Sequence, residues 1–201
     1  THIDSDLIVP VPDSGIPAAI GYSEEINKNV ELGIIRNHYV GRTFIEPTQQ
    51  IRSLGVKLKH NVNKSLIKNK SLILIDDSLV RGTTSVKIIK MLYETGAKEV
   101  HLRIASPPIK YPDYYGVDTP NKSELLASKN NVEEMRKIVN AKTLKFLSIE
   151  GLYKSMGYEK RNSSYPQFTD HCFTGDYPIK PLDSNDKDFM DSQLSFMKSK
   201  S

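Results

Sequence analysis

The chain has 201 residues and a formal net charge of +4, a length that suits one domain plus an appendage and excludes two complete enzyme domains, because domains cluster at roughly 100–150 residues. An apolar share of 38% and a mean hydropathy of −0.43 are ordinary for a chain that buries a core and argue against disorder of the whole. Lys and Arg are interspersed with Asp and Glu, so no nucleic-acid stripe stands out, and no apolar run reaches the roughly 20 residues of a membrane helix.

From the N-terminus, Thr-His-Ile-Asp-Ser-Asp lacks Met and the basic-then-apolar order of a signal peptide. The chain then runs straight into a strand-like segment, so it reads as a fragment or processed product with something upstream missing. Leu7 to Pro12 is a short apolar run ending in Asp13-Ser-Gly15, and Ile16 to Asn27 follows with helical spacing of Ile16, Ala19, Ile20 and Ile26. Leu32 to Arg36 is a second short strand candidate, and Asn37 to Gln49 is polar, holds Gly41 and Pro47, and reads as a mobile loop. Gln50 to Leu58 holds a short helix candidate, while Val56 to Val62 alternates as a half-buried strand would.

Ser71-Leu-Ile-Leu-Ile-Asp76 is a near-continuous run of β-formers, the mark of a strand covered on both faces. Thr84 to Glu94 has helical spacing, Gly96 stops it, and Glu99 to Ala105 is another strand, which makes a β-α-β unit. Ser123 to Asn140 supplies one or two helical segments, Leu144 to Ile149 a closing strand, and Gly151 to Met156 a short helix. This alternation predicts an α/β fold with a mainly parallel, doubly wound sheet over residues 1–157. Residues 158–201, rich in Asp, Ser, Pro and Lys, read as an irregular C-terminal tail. The single Cys172 excludes an internal disulfide and fits a reducing compartment, so the cytoplasm is expected. Asp170-His-Cys172 offers too few ligands for a metal site and reads as packing.

The chemistry concentrates in Leu72-Ile-Leu-Ile-Asp-Asp-Ser-Leu-Val-Arg-Gly-Thr-Thr-Ser85. At the C-terminal rim of a parallel strand, Asp76 and Asp77 can reach the crevice where open α/β sheets bind ligands, and would meet hydroxyls or a cation there. Arg81, Gly82, Thr83, Thr84 and Ser85 offer a glycine for close backbone approach, three hydroxyls, and the free N–H groups of a helix start. That combination is a phosphate cradle, and it is not a Walker loop. Taken singly, each residue also suits ordinary helix capping.

As one string, this segment resembles the phosphoribosyl pyrophosphate (PRPP) signature of type I phosphoribosyltransferases. Asn37-His-Tyr-Val-Gly-Arg-Thr-Phe-Ile-Glu-Pro47 resembles the flexible catalytic loop of the amidophosphoribosyltransferases, and Val9-Pro-Val-Pro-Asp-Ser-Gly15 their pyrophosphate-binding turn. Ala105-Ser-Pro-Pro-Ile109 and Tyr115-Gly-Val-Asp-Thr119 are similar to further stretches of that family, with a fainter echo at Cys172 to Pro178. The resemblance implies the type I phosphoribosyltransferase fold and transfer of the ribosyl carbon of PRPP to ammonia released from glutamine, which yields phosphoribosylamine, pyrophosphate and glutamate.

Residue by residue, the resemblance implies that Asp76 and Asp77 hold the ribose hydroxyls and, with Ser14, place Mg2+. It also implies that Asp13, Ser14, Gly15, Ser78, Arg81, Gly82, Thr83, Thr84 and Ser85 bind PRPP, and that Arg36, Tyr39 and Arg42 reach the pyrophosphate catalytically. Without it, Arg36 and Arg42 read as solvated loop charges and Ser14 as a turn residue or helix cap. The family's glutamine-hydrolysing half lies upstream and nothing here matches it, so a glutaminase domain in cis is expected to be missing. Thr1 reads as a boundary rather than an N-terminal nucleophile. Asp113 and Thr169 stand where some members carry iron–sulfur cysteines, so no cluster is expected. A homo-oligomer and no nucleic-acid or membrane partner are expected. A nucleobase-using phosphoribosyltransferase and a non-catalytic PRPP-binding regulator remain as alternatives.

Overall fold

A computed structural model of the chain describes residues 3–37, 60–117 and 119–179. In chain order the elements are β1 (Leu7–Pro10), α1 (Ile16–Ile26), β2 (Ile34–Arg36), β3 (His60–Val62), a one-turn α2 (Lys64–Ile67), β4 (Ser71–Asp76) and α3 (Thr83–Thr95). There follow β5 (Glu99–Ile104), a 3-10 turn (Lys122–Glu124), α4 (Leu126–Lys129), α5 (Val132–Val139), β6 (Thr143–Phe146), α6 (Ile149–Ser155) and α7 (His171–Thr174).

The central sheet is parallel with strand order β1-β4-β5-β6. β4 lies inside it, and Leu72, Ile73, Leu74 and Ile75 are all at most 2% exposed. Alternation sends them to opposite faces. Leu72 and Leu74 join the larger core with Ile88, Ile89 and Leu92 of α3 and Met135 and Val139 of α5, whereas Ile73 and Ile75 pack with Ile8 and Ala19 beneath α1. Helices on both faces explain why this strand reads as an unbroken apolar run. β5 departs from that pattern. Val100, Leu102 and Ile104 face the larger core, while the buried His101 and Arg103 alternate away from it, and the Thr143 hydroxyl lies 3.0 Å from His101 Nδ1 and from Arg103 Nη1.

Helix boundaries follow local chemistry. Gly96 ends α3 at φ 101°, its N–H reaching the carbonyls of Leu92 and Tyr93. Asn131 and Glu134 close a capping box on α5, with Asn131 Oδ1 accepting from Glu134 N at 3.0 Å and Glu134 Oε2 from Asn131 N at 2.7 Å. Two sequence expectations shift. The Leu32–Arg36 strand forms over Ile34–Arg36 but leaves the main sheet, pairing antiparallel with β3 so that Arg36 sits opposite His60. The closing strand ends at Phe146, because the Ser148 hydroxyl accepts from Gly151 N at 2.9 Å and starts α6 at Ile149. The expected helix at Gln50–Leu58 and the loop at Asn37–Gln49 fall outside the described residues, apart from Asn37.

Residues 158–179 pack back on α6 and on the loop at residues 110–115 through polar groups. Asp170, 3% exposed, accepts from Tyr153 Oη at 2.9 Å and Arg161 Nε at 2.5 Å, and Arg161 also reaches Asp176 at 2.6 Å. Burial works against ionisation of Asp170, but the Arg161 and Tyr153 hydrogen bonds outweigh it and hold its carboxyl below the usual range. His171 Nε2 lies 2.8 Å from Asp113 Oδ2. Among the described residues no helix is long and apolar enough to cross a membrane.

Candidate functional site

The C-terminal edge of the sheet builds one cleft of about 400 Å³ from three segments. The first is the turn after β1. Val11 N donates to Ile75 O at 2.8 Å, and Gly15 N folds back to Val11 O at 2.9 Å. The Pro12–Asp13 peptide bond in this turn is cis. Glycine is required at position 15 by contact rather than by dihedral: an added Cβ would overlap the Ile75 carbonyl oxygen and come within 2.9 Å of Val11 O. The turn is thereby pressed onto the end of β4, and Ser14 lines the cleft.

The second segment is the turn from β4 into α3. Pro10 pairs with Ile75, so Asp76 extends past β1 at the rim of the sheet. Asp76 is 6% exposed, while Asp77 faces solvent. Asp77 N donates to Asp76 Oδ1 at 3.0 Å, and Ser78 N to Asp77 Oδ1 at 2.7 Å. Burial, reinforced by the neighbouring Asp77 charge, pushes the Asp76 carboxyl up to about 7, against opposing hydrogen bonds from the Asp77 amide and Ser14. Gly82 at φ 78° is the N-cap of α3 and supplies no side-chain cap. Among the described residues no side chain caps the first-turn amides of α3, and the helix dipole there favours an anion. Thr83 and Thr84 are exposed and Ser85 is buried, and all three line the cleft.

The third segment is the small β2–β3 sheet. Arg36 Nη1 is 2.9 Å from Asp13 Oδ2, both side chains being partly exposed, and among the described residues the buried Arg36 Nε has no hydrogen-bond partner.

Of the residues singled out from the sequence, Ser14, Arg36, Asp76, Asp77, Ser78, Arg81, Gly82, Thr83, Thr84 and Ser85 line this one cleft. Asp13 stands beside it as the partner of Arg36, and Gly15 supports the turn from behind. Tyr39 and Arg42 lie outside the described residues. His60 and Pro120 also line the cleft and escaped sequence reading. His60 had a signal: in the alternating run Val56 to Val62 it is a polar residue at an apolar phase position. Pro120 had none, because it arrives from a loop far along the chain.

A hard divalent cation suits this donor set. Two adjacent carboxylates, one disfavoured in its ionised form by burial and by the other's charge, gain from a neighbouring positive charge, and Ser14 offers a third oxygen. Among the described residues no group of three or more His, Cys, Asp or Glu could hold a metal by itself, so the remaining ligands would be oxygens of substrate and water.

Comparison with known proteins gives a consistent picture. No family model matches the chain. It is 58% identical to an amidophosphoribosyltransferase of Rhizobium etli over 198 residues, which is 98% of this chain and 40% of the relative. It is 49% identical to the chloroplastic amidophosphoribosyltransferase 2 of Arabidopsis thaliana over 96% of this chain and 34% of that protein. A solved structure of the glutamine PRPP amidotransferase from Bacillus subtilis, complexed with ADP and GMP, superposes with a TM-score of 0.80 at 47% identity, covering 91% of this chain and 40% of that one. The chain thus spans well under half the length of these relatives.

Proposed function

Because this chain belongs to the amidophosphoribosyltransferase family, whose C-terminal part it matches, we propose that its cleft binds PRPP with Mg2+ and transfers the phosphoribosyl group to ammonia, as the opening step of purine synthesis. The observation that carries this reading is the meeting, in one cleft, of the uncapped N-terminus of α3 and the Asp76–Asp77 pair at the end of β4.

The reaction joins the ammonia nitrogen to the anomeric carbon while the carbon–oxygen bond to pyrophosphate breaks and its electron pair leaves with pyrophosphate. The nitrogen then sheds a proton. Charge separates in this step, so the site must anchor both ends of PRPP and keep water away. We assign the 5′-phosphate to the first-turn amides of α3 with Thr83, Thr84, Ser85, Gly82 and Arg81, since N–H groups and the helix dipole favour a dianion there. Asp76 and Asp77 accept hydrogen bonds from the ribose hydroxyls and, with Ser14, would hold Mg2+. When bound, that ion neutralises the leaving pyrophosphate.

Arg36 reaches the pyrophosphate by exchanging Asp13 for it, an inexpensive exchange for a partly exposed ion pair. Its Nε, without a partner among the described residues, supports such a role. Tyr39 and Arg42 complete the leaving-group contacts from the loop. Residues 1–157 form the phosphoribosyltransferase domain and 158–201 an appended segment. In the whole enzyme, glutamine is the ammonia source, through a glutaminase domain in cis, and the assembly is a homo-oligomer.

The test is pyrophosphate release from PRPP and Mg2+ by this chain, with ammonia, with a purine or pyrimidine base, and with neither. Ammonia-dependent release is expected. Release that needs a nucleobase would replace this reading with a base-using phosphoribosyltransferase, and PRPP binding without any release would replace it with a regulator.

A further inference from the structure

Four features bring residues 120–126 onto the phosphate loop from roughly 40 positions away in sequence. Pro120 lines the cleft. Glu124 Oε2 accepts from Arg81 Nε at 2.8 Å. Leu126 N donates to Val80 O at 2.9 Å. The Leu126 side chain lies against Gly82 so closely that a Cβ there would be 2.9 Å from its Cδ2. The segment itself is anchored, since Leu125 is 1% and Ala127 7% exposed, and the Ser128 hydroxyl ties back to the carbonyls of Lys122 and Leu125. A rigid base therefore presents one carboxylate to one arginine of the loop.

We propose that Glu124 is a positioning residue of the PRPP site, holding the Arg81 guanidinium so that its free N–H groups face the 5′-phosphate. The inference rests on the reading of the cleft given above. A guanidinium carries five donors in a fixed plane, and the bond from Nε to Glu124 uses one of them while setting the plane of the rest. An arginine left without such a partner surrenders its rotamer freedom on binding, so pre-ordering it strengthens phosphate binding. Stability does not account for the pair, because both side chains are close to half exposed and ion pairs of that kind contribute little to folding.

The experiment is calorimetric titration of PRPP with Mg2+ into the chain and into its Glu124→Ala, Glu124→Gln, Arg81→Ala and doubly substituted (Arg81→Ala, Glu124→Ala) forms, with melting temperatures alongside. Glu124→Ala is expected to weaken PRPP binding about fivefold with the melting temperature nearly unchanged. Gln, a neutral acceptor, should recover part of the loss, and once Arg81 is Ala the change at Glu124 should cost nothing more. An Arg81→Ala loss without a Glu124→Ala loss overturns the positioning role and leaves the site intact, as do additive losses in the double form. A wild-type chain that binds no PRPP overturns the site reading and this inference with it.

Discussion

Asp76 shows what the site costs the fold. A buried acid whose folded pKa stands near 7 rather than 3.8 binds a proton more tightly in the folded chain than in the unfolded one. Its contribution to stability is therefore fully present below about pH 4 and is lost as the pH rises through about 7. The difference amounts to roughly 4 kcal/mol at most. Asp76→Asn removes the buried charge, so the ligand-free variant should melt several degrees higher than wild type at pH 8 and differ little at pH 4; equal melting temperatures at pH 8 would contradict the burial account. At the exposed neighbour the balance is different. Asp77→Asn should leave stability within about 0.5 kcal/mol but weaken Mg2+-dependent PRPP binding at least tenfold, and an unchanged calorimetric affinity would remove Asp77 from the site.

At the scale of elements, the cleft depends on two turns that accept glycine alone. Gly15→Ala drives a Cβ into the Ile75 carbonyl, and since both sides of that contact are backbone, the β1–α1 turn must lift off β4. Urea denaturation should show a loss of about 2 kcal/mol or more, and a loss under about 0.5 kcal/mol would mean that the turn relaxes freely. These turns were legible in the sequence because strand, carboxylates and glycine follow one another along the chain. β4 was legible for a related reason: helices on both sides leave it no polar face, so burial and sequence carry the same signal. The β2–β3 pairing was not, since the short run Leu32–Arg36 does not reveal whether its partner is the main sheet or a strand more than 20 residues away. Glu124 and Pro120 were hidden for the same reason, because tertiary folding alone brings them to the phosphate loop.

For the molecule as a whole, the polar clamp of residues 158–179 is the counterpart of the apolar core. Asp170 is buried between Tyr153 and Arg161, and Asp170→Ala would leave the guanidinium, only 18% exposed, without its main partner. Such a change should cost about 3 kcal/mol in chemical denaturation and expose 158–179 to protease, and a protease-resistant variant of wild-type stability would show that this segment is held by other contacts. The site, by contrast, is built from the C-terminal edge of the main sheet, the β2–β3 pair and the 120–126 segment, none of which supplies Tyr153, Arg161 or Asp170, so cleft and clamp should fail independently. The most direct measurement of the central claim is titration of PRPP into the chain with and without Mg2+. The cleft geometry predicts saturable one-to-one binding that requires Mg2+ and is lost in Asp76→Asn. No binding, or binding indifferent to both Mg2+ and Asp76, would contradict it.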